Sequence, residues 1–302
     1  MTTKYAIEGK NITKKLKGFN LDIDDLKVPK GFATALIGEN GAGKTTLLNI
    51  LSGLRLDYKG DITFFGRYSD KEKEDNGNVK NRIGYTGTGK YYLPQWTVRD
   101  IENISKILFE DFSEDRFRKY CDELAIFPHG QLDMKKPNSS FSDGMKVKLM
   151  LAGVLSRDTD MLILDEPASP LDPLMRDKLC QLISEYINNG NGEKSVFFST
   201  HNISDMENIT DYAIIMENGQ IVEQGFVEDL KEKYIVIKGD AADTQKAKDI
   251  LYTITTNPYG FEGICLSENL DKLAGLNVTK EIPTLYQISV AVMKNNTKIV
   301  MR

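Results

Sequence analysis

The sequence predicts an α/β fold, and two observations carry that reading. The nearly all-apolar run "FATALIG" (32–38) suits a strand buried on both faces, and a glycine-rich turn leads from it into "KTTLLNILSGL" (44–54), where apolar residues fall at helical spacing. Further on, the strand-like runs "MLILD" (161–165) and "SVFFST" (195–200) flank a helical stretch, "PLMRDKLCQLISEYI" (173–187). Strand, loop and helix in this succession wind a nucleotide-binding type of α/β core.

The remaining elements follow in chain order. Alternating apolar residues in "FNLDIDDLKVP" (19–29) predict a strand. "DKEKEDNGNVKN" (70–81) reads as a polar surface loop. From Asp100 to about Met134 the chain is charged and helix-like, with Ile101, Ile104, Ile107 and Leu108 expected on one face, which makes it a helical insertion extending to about residue 150. "YAIIMENGQIVEQG" (212–225) predicts a hairpin turned at Asn218-Gly219. After Leu230 the pattern restarts: strand-like "YIVIKG", helical "TQKAKDILYTI", strand-like "EGICLSE", helical "NLDKLAGL" and a further helix near "PTLYQISVAVMK". A boundary near 231 therefore divides a main domain, 1–230, from a small C-terminal α+β domain, 231–302, with enough Ile, Leu, Val and Tyr for a core of its own.

Composition narrows the function classes. The chain has 302 residues, 40% of them hydrophobic and 27% charged, which is ample for a large core without cross-links. Its three cysteines, Cys121, Cys180 and Cys265, form no close pair, so neither a disulfide framework nor a cysteine zinc site is expected, and a reducing cytoplasm fits. The start "MTTKYAIEGK" lacks the pattern of a signal peptide, and apolar runs such as "MLIL" are too short to cross a bilayer, so membrane association is expected only through a partner. A net charge of -5 argues against nucleic acid as the main ligand. The small basic clusters "KKLK" (14–17) and "MKVK" (145–148) read as solvated faces.

"GENGAGKT", Gly38 to Thr45, matches G-x-x-x-x-G-K-T in full. Glycines let backbone N–H groups curl around phosphate oxygens, Lys44 reaches the outer phosphates, the Thr45 hydroxyl can ligate magnesium, and the helix N-terminus adds a favourable dipole. The candidate nucleotide contacts are thus Gly38, Asn40, Gly41, Ala42, Gly43, Lys44, Thr45 and Thr46. "MLILDEP" ends a strand with Asp165, expected to hold magnesium directly or through water, and Glu166, expected to polarise an attacking water. "FSDGMKVKLMLAGVL" places Ser142 and Gly144 at the start of an amphipathic helix, and "FFSTH" ends a strand at His201.

With these motifs in this order, including "SPLD" at 169–172, residues 1 to about 230 resemble the ATP-binding subunit of an ATP-binding cassette (ABC) transporter. The resemblance implies a P-loop NTPase cassette with a mixed core sheet, an antiparallel β subdomain and a helical subdomain. It implies ATP and Mg2+ as cofactors, and ATP hydrolysis driving a separately encoded membrane permease from the cytoplasmic face. It further implies a sandwich, expected to be a homodimer, in which Ser142 and the Gly144 backbone contact the γ-phosphate of ATP held by the second ATP-binding subunit. Ser169 and Asp172 would act across that dimer interface, and His201 would contact the γ-phosphate and help hold the water. A soluble cassette acting on ribosomes or DNA is the alternative. Its usual marks, a second cassette or a long coiled coil, are absent from this sequence.

The sequence departs from the family pattern in three places. "FSDGM" replaces the usual L-S-G-G-Q, with Asp143 and Met145 where glycine and glutamine stand; the form resembles exporters of peptides or antibiotics, such as the phenol-soluble-modulin and bacitracin types. An acid there is stabilising at a helix N-terminus on its own account, and the Asp143 side chain is expected to point away from the phosphates. Leu16 stands where the adenine-stacking tyrosine belongs, which leaves Phe19 as the nearest aromatic substitute. Counting between "IGY" (83–85) and "TVRD" (97–100) places Thr88, rather than Gln95 of "LPQ", at the position of the family's magnesium-sensing glutamine. "GTGK" (87–90) lacks the context of a second phosphate loop.

Overall fold

A computed structural model describes residues 4–69, 71–87, 92–127 and 133–300, apart from the side chains of 73, 74 and 297–300. Its first sheet is antiparallel, in the order β2-β1-β4-β5, from β1 (Tyr5–Leu16), β2 (Phe19–Pro29), β4 (Lys59–Phe64) and β5 (Tyr68–Ser69). The central sheet has six strands: β3 (Ala33–Ile37), β6 (Ile83–Thr86), β7 (Met161–Leu164), β8 (Ser195–Thr200), β9 (Tyr212–Glu217) and β10 (Gln220–Phe226). Their order is β10-β9-β3-β8-β7-β6, parallel except for the β9–β10 hairpin. That makes the mixed sheet and antiparallel β part predicted from the sequence. The helices are α1 (Lys44–Leu51), α2 (Lys73–Arg82), α3 (Val98–Leu108), α4 (Glu114–Glu123), α5 (Asp143–Leu155), α6 (Pro173–Asn188), α7 (Val227–Lys233), α8 (Thr244–Ala247) and α9 (Leu285–Val300).

Alternation along the central strands sorts side chains into two cores, since successive residues point to opposite faces. Ala33, Ala35 and Ile37 of β3, Leu162 and Leu164 of β7, and Val196 and Phe198 of β8 face a core shared with α5 and α6. Leu36, Met161, Ile163 and Phe197 face the other, shared with α1 and the antiparallel sheet. Burial on both faces explains why these strands read as unbroken apolar runs.

The third sheet is antiparallel, in the order β12-β13-β11-β14, from β11 (Tyr234–Asp240), β12 (Thr253–Asn257), β13 (Gly260–Leu266) and β14 (Val278–Glu281). Ile237, Phe261 and Cys265 on one face make a small core with Ala247 and Leu251. Its other face joins the large core: Tyr234, Val236 and Ile264 pack there together with Leu285, Ile288, Ala291 and Val292 of α9. The Leu285 N–H also bonds the Glu207 carboxylate at 2.8 Å.

Several local expectations are overturned. The expected polar loop, 70–81, is helical from Lys73 onward as part of α2, anchored by the single buried apolar side chain Val79. On α3 the buried face is Val98, Ile101, Glu102 and Ser105, whereas Ile107 and Leu108 are exposed; the buried Glu102 carboxylate is paired with Arg118 of α4 at 2.9 Å. Lys14 is partly buried, its side chain 13% exposed and paired with Asp57, whereas Lys15 and Lys17 of the same cluster are exposed. "TQKAKDILYTI" is helical only over 244–247 before it enters β12, "NLDKLAGL" is mostly a 3-10 run, and β14 lies where no strand was expected. The three cysteines are free and buried.

Candidate functional site

The loop after β3 turns at Gly41 (φ 90°) and Gly43 (φ 105°), left-handed conformations that side-chain-bearing residues disfavour. Gly43 is the N-cap of α1 and makes no side-chain cap bond there. First-turn amides of a helix have no partner within the helix and suit an anion. Two other elements brace the loop. A Cβ at Gly38 would lie 2.4 Å from the Met216 carbonyl oxygen, and the Gly219 N–H at the hairpin tip donates to the Ala42 carbonyl at 3.0 Å. Gly219 in turn accepts from the Asp22 N–H at 2.8 Å, so turn, loop and β2 are tied together.

A cavity of about 980 Å³ opens over this loop. Asn40, Gly41, Gly43, Lys44, Thr45 and Thr46 form its floor, with Glu166 and His201 beside them. Leu16, Lys17 and Phe19 border it at another point, and the Phe19 ring rests on Gly43, where a Cβ would approach it to 2.6 Å. Gly38, Ala42 and Asp165 are not among the bordering residues, nor are Ser142, Gly144 and Asp172; their neighbours Asp143, Val147, Ser169 and Pro170 are. Asp143 borders the cavity with a side chain 91% exposed and paired with Lys146 at 3.0 Å, one helical turn along α5. Thr88 lies outside the described residues. Gln95 is exposed in a turn and does not border the cavity.

The charged groups meet where the parallel strands end, β3 lying between β8 and β9. Open α/β sheets take ligands at that edge. The Lys44 ammonium donates to the carbonyls of Gly38 (2.7 Å) and Glu39 (3.2 Å) and lies 3.4 Å from Glu166 Oε1. Glu166 Oε2 is 2.7 Å from His201 Nδ1, so one carboxylate bridges a lysine and a histidine. Behind it the Thr45 hydroxyl donates to Asp165 Oδ2 at 2.8 Å. Ser199 Oγ is 2.5 Å from Asp165 Oδ1 and accepts the Glu166 N–H at 2.9 Å.

Ser142 and Asp172 have local partners as N-caps of α5 and α6, accepting from Met145 N and Met175 N at 3.3 and 3.1 Å. Arg176 joins the 168–171 loop to the segment after His201: it donates to the carbonyls of Ala168 (3.2 Å) and Leu171 (2.9 Å) and to Asp205 (2.8 Å). Asp205 also accepts from Asn202 at 3.1 Å. The sequence offers Ser199 only as part of "FFSTH", Gly219 only as half of the Asn218-Gly219 turn, and Arg176 in no motif; the bonds to Asp165, Ala42 and Asp205 that give them their roles come from the fold.

This arrangement, amides and a lysine facing a carboxylate–histidine pair with two oxygen donors adjacent, suits a polyphosphate. A family model described as "ABC transporter" matches residues 21–169. The energy-coupling factor transporter ATP-binding protein EcfA2 of Methanospirillum hungatei is 29% identical over 213 residues, 68% of this chain, which spans half of that relative's length. The bacitracin transport ATP-binding protein BcrA of Enterococcus faecalis is 29% identical over 255 residues, 83% of this chain and 79% of the relative. Among solved structures, an ATP-binding subunit of an ABC transporter superposes with a TM-score of 0.63 at 23% identity, over 75% of this chain and 92% of the other. A dimeric post-hydrolysis ATP-binding cassette bound to ADP and Pi superposes at 0.61 with 20% identity, over 73% and 98%; at such identities the likeness is one of fold. On its motifs, its sheet order and these relatives, the chain belongs to the ABC transporter family, as an ATP-binding subunit.

Proposed function

We propose that this chain hydrolyses ATP to power a separate membrane permease that exports peptides or similar amphipathic compounds, and that it works in pairs on the cytoplasmic face of the membrane. The observation that carries the ATPase reading is the placement of Glu166, its carboxylate 3.4 Å from Lys44 and 2.7 Å from His201 at the edge of the phosphate-loop cavity. Export rests on the similarity to a protein named for bacitracin transport. Among the described residues no helix is long and apolar enough to cross a membrane, which agrees with a permease supplied by another chain.

Phosphoryl transfer depends on alignment and charge neutralisation more than on covalent help. Lys44 and the amides of Gly41 to Thr46 hold the phosphates, Glu166 takes the proton of the attacking water, and His201 orients that carboxylate and contacts the γ-phosphate. Phe19 and Leu16 flank the base. Thr45 and Asp165 fit magnesium: both offer hard oxygen donors, and their 2.8 Å separation is near the roughly 3 Å between adjacent ligands of an octahedral ion. When bound, the ion screens phosphate charge. Ser142 and Gly144 serve the nucleotide of a second cassette and Asp172 the interface between the two, while residues 231–302 form a regulatory or dimerisation module.

The test is Glu166→Gln, which keeps the shape and removes the base. Its kcat is expected to fall by about 100-fold or more while ATP still binds, and MgATP should hold the variant as a dimer in sedimentation. Turnover near wild type would overturn the role given to Glu166.

A further inference from the structure

Ser199 is fully buried near the C-terminal end of β8, and we propose that it is the positioning residue that aims Glu166 at the reacting water and sets it in register with Asp165. The inference rests on the reading of Glu166 as the proton acceptor.

The argument begins with the strand register. Leu164, the last residue of β7, pairs with Phe198, so the next residue of β8 reaches beyond β7 to the turn that carries Asp165 and Glu166. Phe197 and Phe198 face the two opposite cores, and by alternation Ser199 faces the same side as Phe197, the side of α1 and Thr45. A hydroxyl there has one hydrogen and two lone pairs. The Asp165 carboxylate can only accept, so the hydrogen goes to Oδ1 at 2.5 Å, and a lone pair receives the Glu166 N–H at 2.9 Å. One buried oxygen thus joins the two acids, and both of its bonds have a fixed sense.

The second observation is the backbone of Glu166, whose φ of 50° is left-handed in a residue that is not glycine. Such a conformation persists only where its surroundings hold it. Its N–H is held by Ser199, and its carbonyl accepts from the Ser169 N–H at 3.2 Å. This turn points the side chain back between Lys44 and His201. Without the hydroxyl, one of the two backbone restraints is lost, and the carboxylate loses the aim that general-base work requires.

The full-length chain is compared as wild type, Ser199→Ala, Ser199→Thr and Glu166→Gln. Ser199→Ala is expected to lower kcat about tenfold, the worth of one lost hydrogen bond, with KM for MgATP within about twofold. Ser199→Thr, which keeps the hydroxyl, should recover most of the rate. In the nucleotide-free protein, hydrogen exchange of the peptide spanning Glu166 should be faster in the alanine variant and return to wild type in the threonine variant. If the alanine variant does not fold, Ser199→Cys, with a weak acceptor of similar shape, takes its place and is expected to show the same loss. Wild-type kcat and wild-type exchange in the alanine or cysteine variant overturn the proposal, as does a threonine variant impaired as deeply as alanine in both. Near-normal turnover in Glu166→Gln overturns the reading of Glu166 instead, while the exchange data still decide whether Ser199 holds that turn.

Discussion

A methyl group on Gly219 would stand 2.0 Å from the Asn20 carbonyl oxygen, at a φ of 83° that side-chain-bearing residues avoid. Its N–H meanwhile holds the Ala42 carbonyl of the phosphate loop. Gly219→Ala is therefore expected to cost about 1 kcal/mol or more in stability, read by urea unfolding, and to weaken ATP binding, read by nucleotide titration. Loss of stability with unchanged affinity would separate the turn from the loop. At this scale the site was legible where function imposes a local word, "GENGAGKT", "LDEP" or "STH". Ser199 stands inside the word "STH" and Gly219 in the predicted turn, yet their roles, like that of Arg176, were not legible, because those lie in partners such as Asp165, Ala42 and Asp205, which only the folded sheet brings near.

Among the elements, α6 begins at Asp172, which caps it through the Met175 N–H at 3.1 Å and is followed by a proline suited to a first turn. The cap and the proposed role between cassettes can be separated. Asp172→Ala is expected to cost about 1 kcal/mol, while Asp172→Asn keeps a cap of similar strength; if only the interface matters, the two variants will unfold at the same urea concentration and differ in ATP-dependent dimerisation. The central strands were legible because burial on both faces writes itself as apolar runs. The polar α2 was not: it depends on Val79, one buried residue that no periodicity can announce. Near the C-terminal sheet the apolar spacing of "ILYTI" fitted a helix, but the Tyr252 N–H pairs with Ile264 of β13, and a neighbouring strand decided the outcome.

For the molecule as a whole, the large core is continuous from β3 to α9, with Ala33 and Ala35 in the same cluster as Leu285 and Ala291. Leu285→Ala, at a fully buried position, is expected to lower stability by about 2–5 kcal/mol in a single cooperative urea transition. A separate, earlier transition confined to the C-terminal sheet would show instead that 231–302 folds as its own unit. This continuity also bears on the order in which the protein is made. A ribosome delivers β3 long before α9, and domains generally fold as units while synthesis proceeds. The nascent chain thus carries an unfinished core, with an uncovered strip beside Tyr212–Phe226, until α9 has emerged to close it.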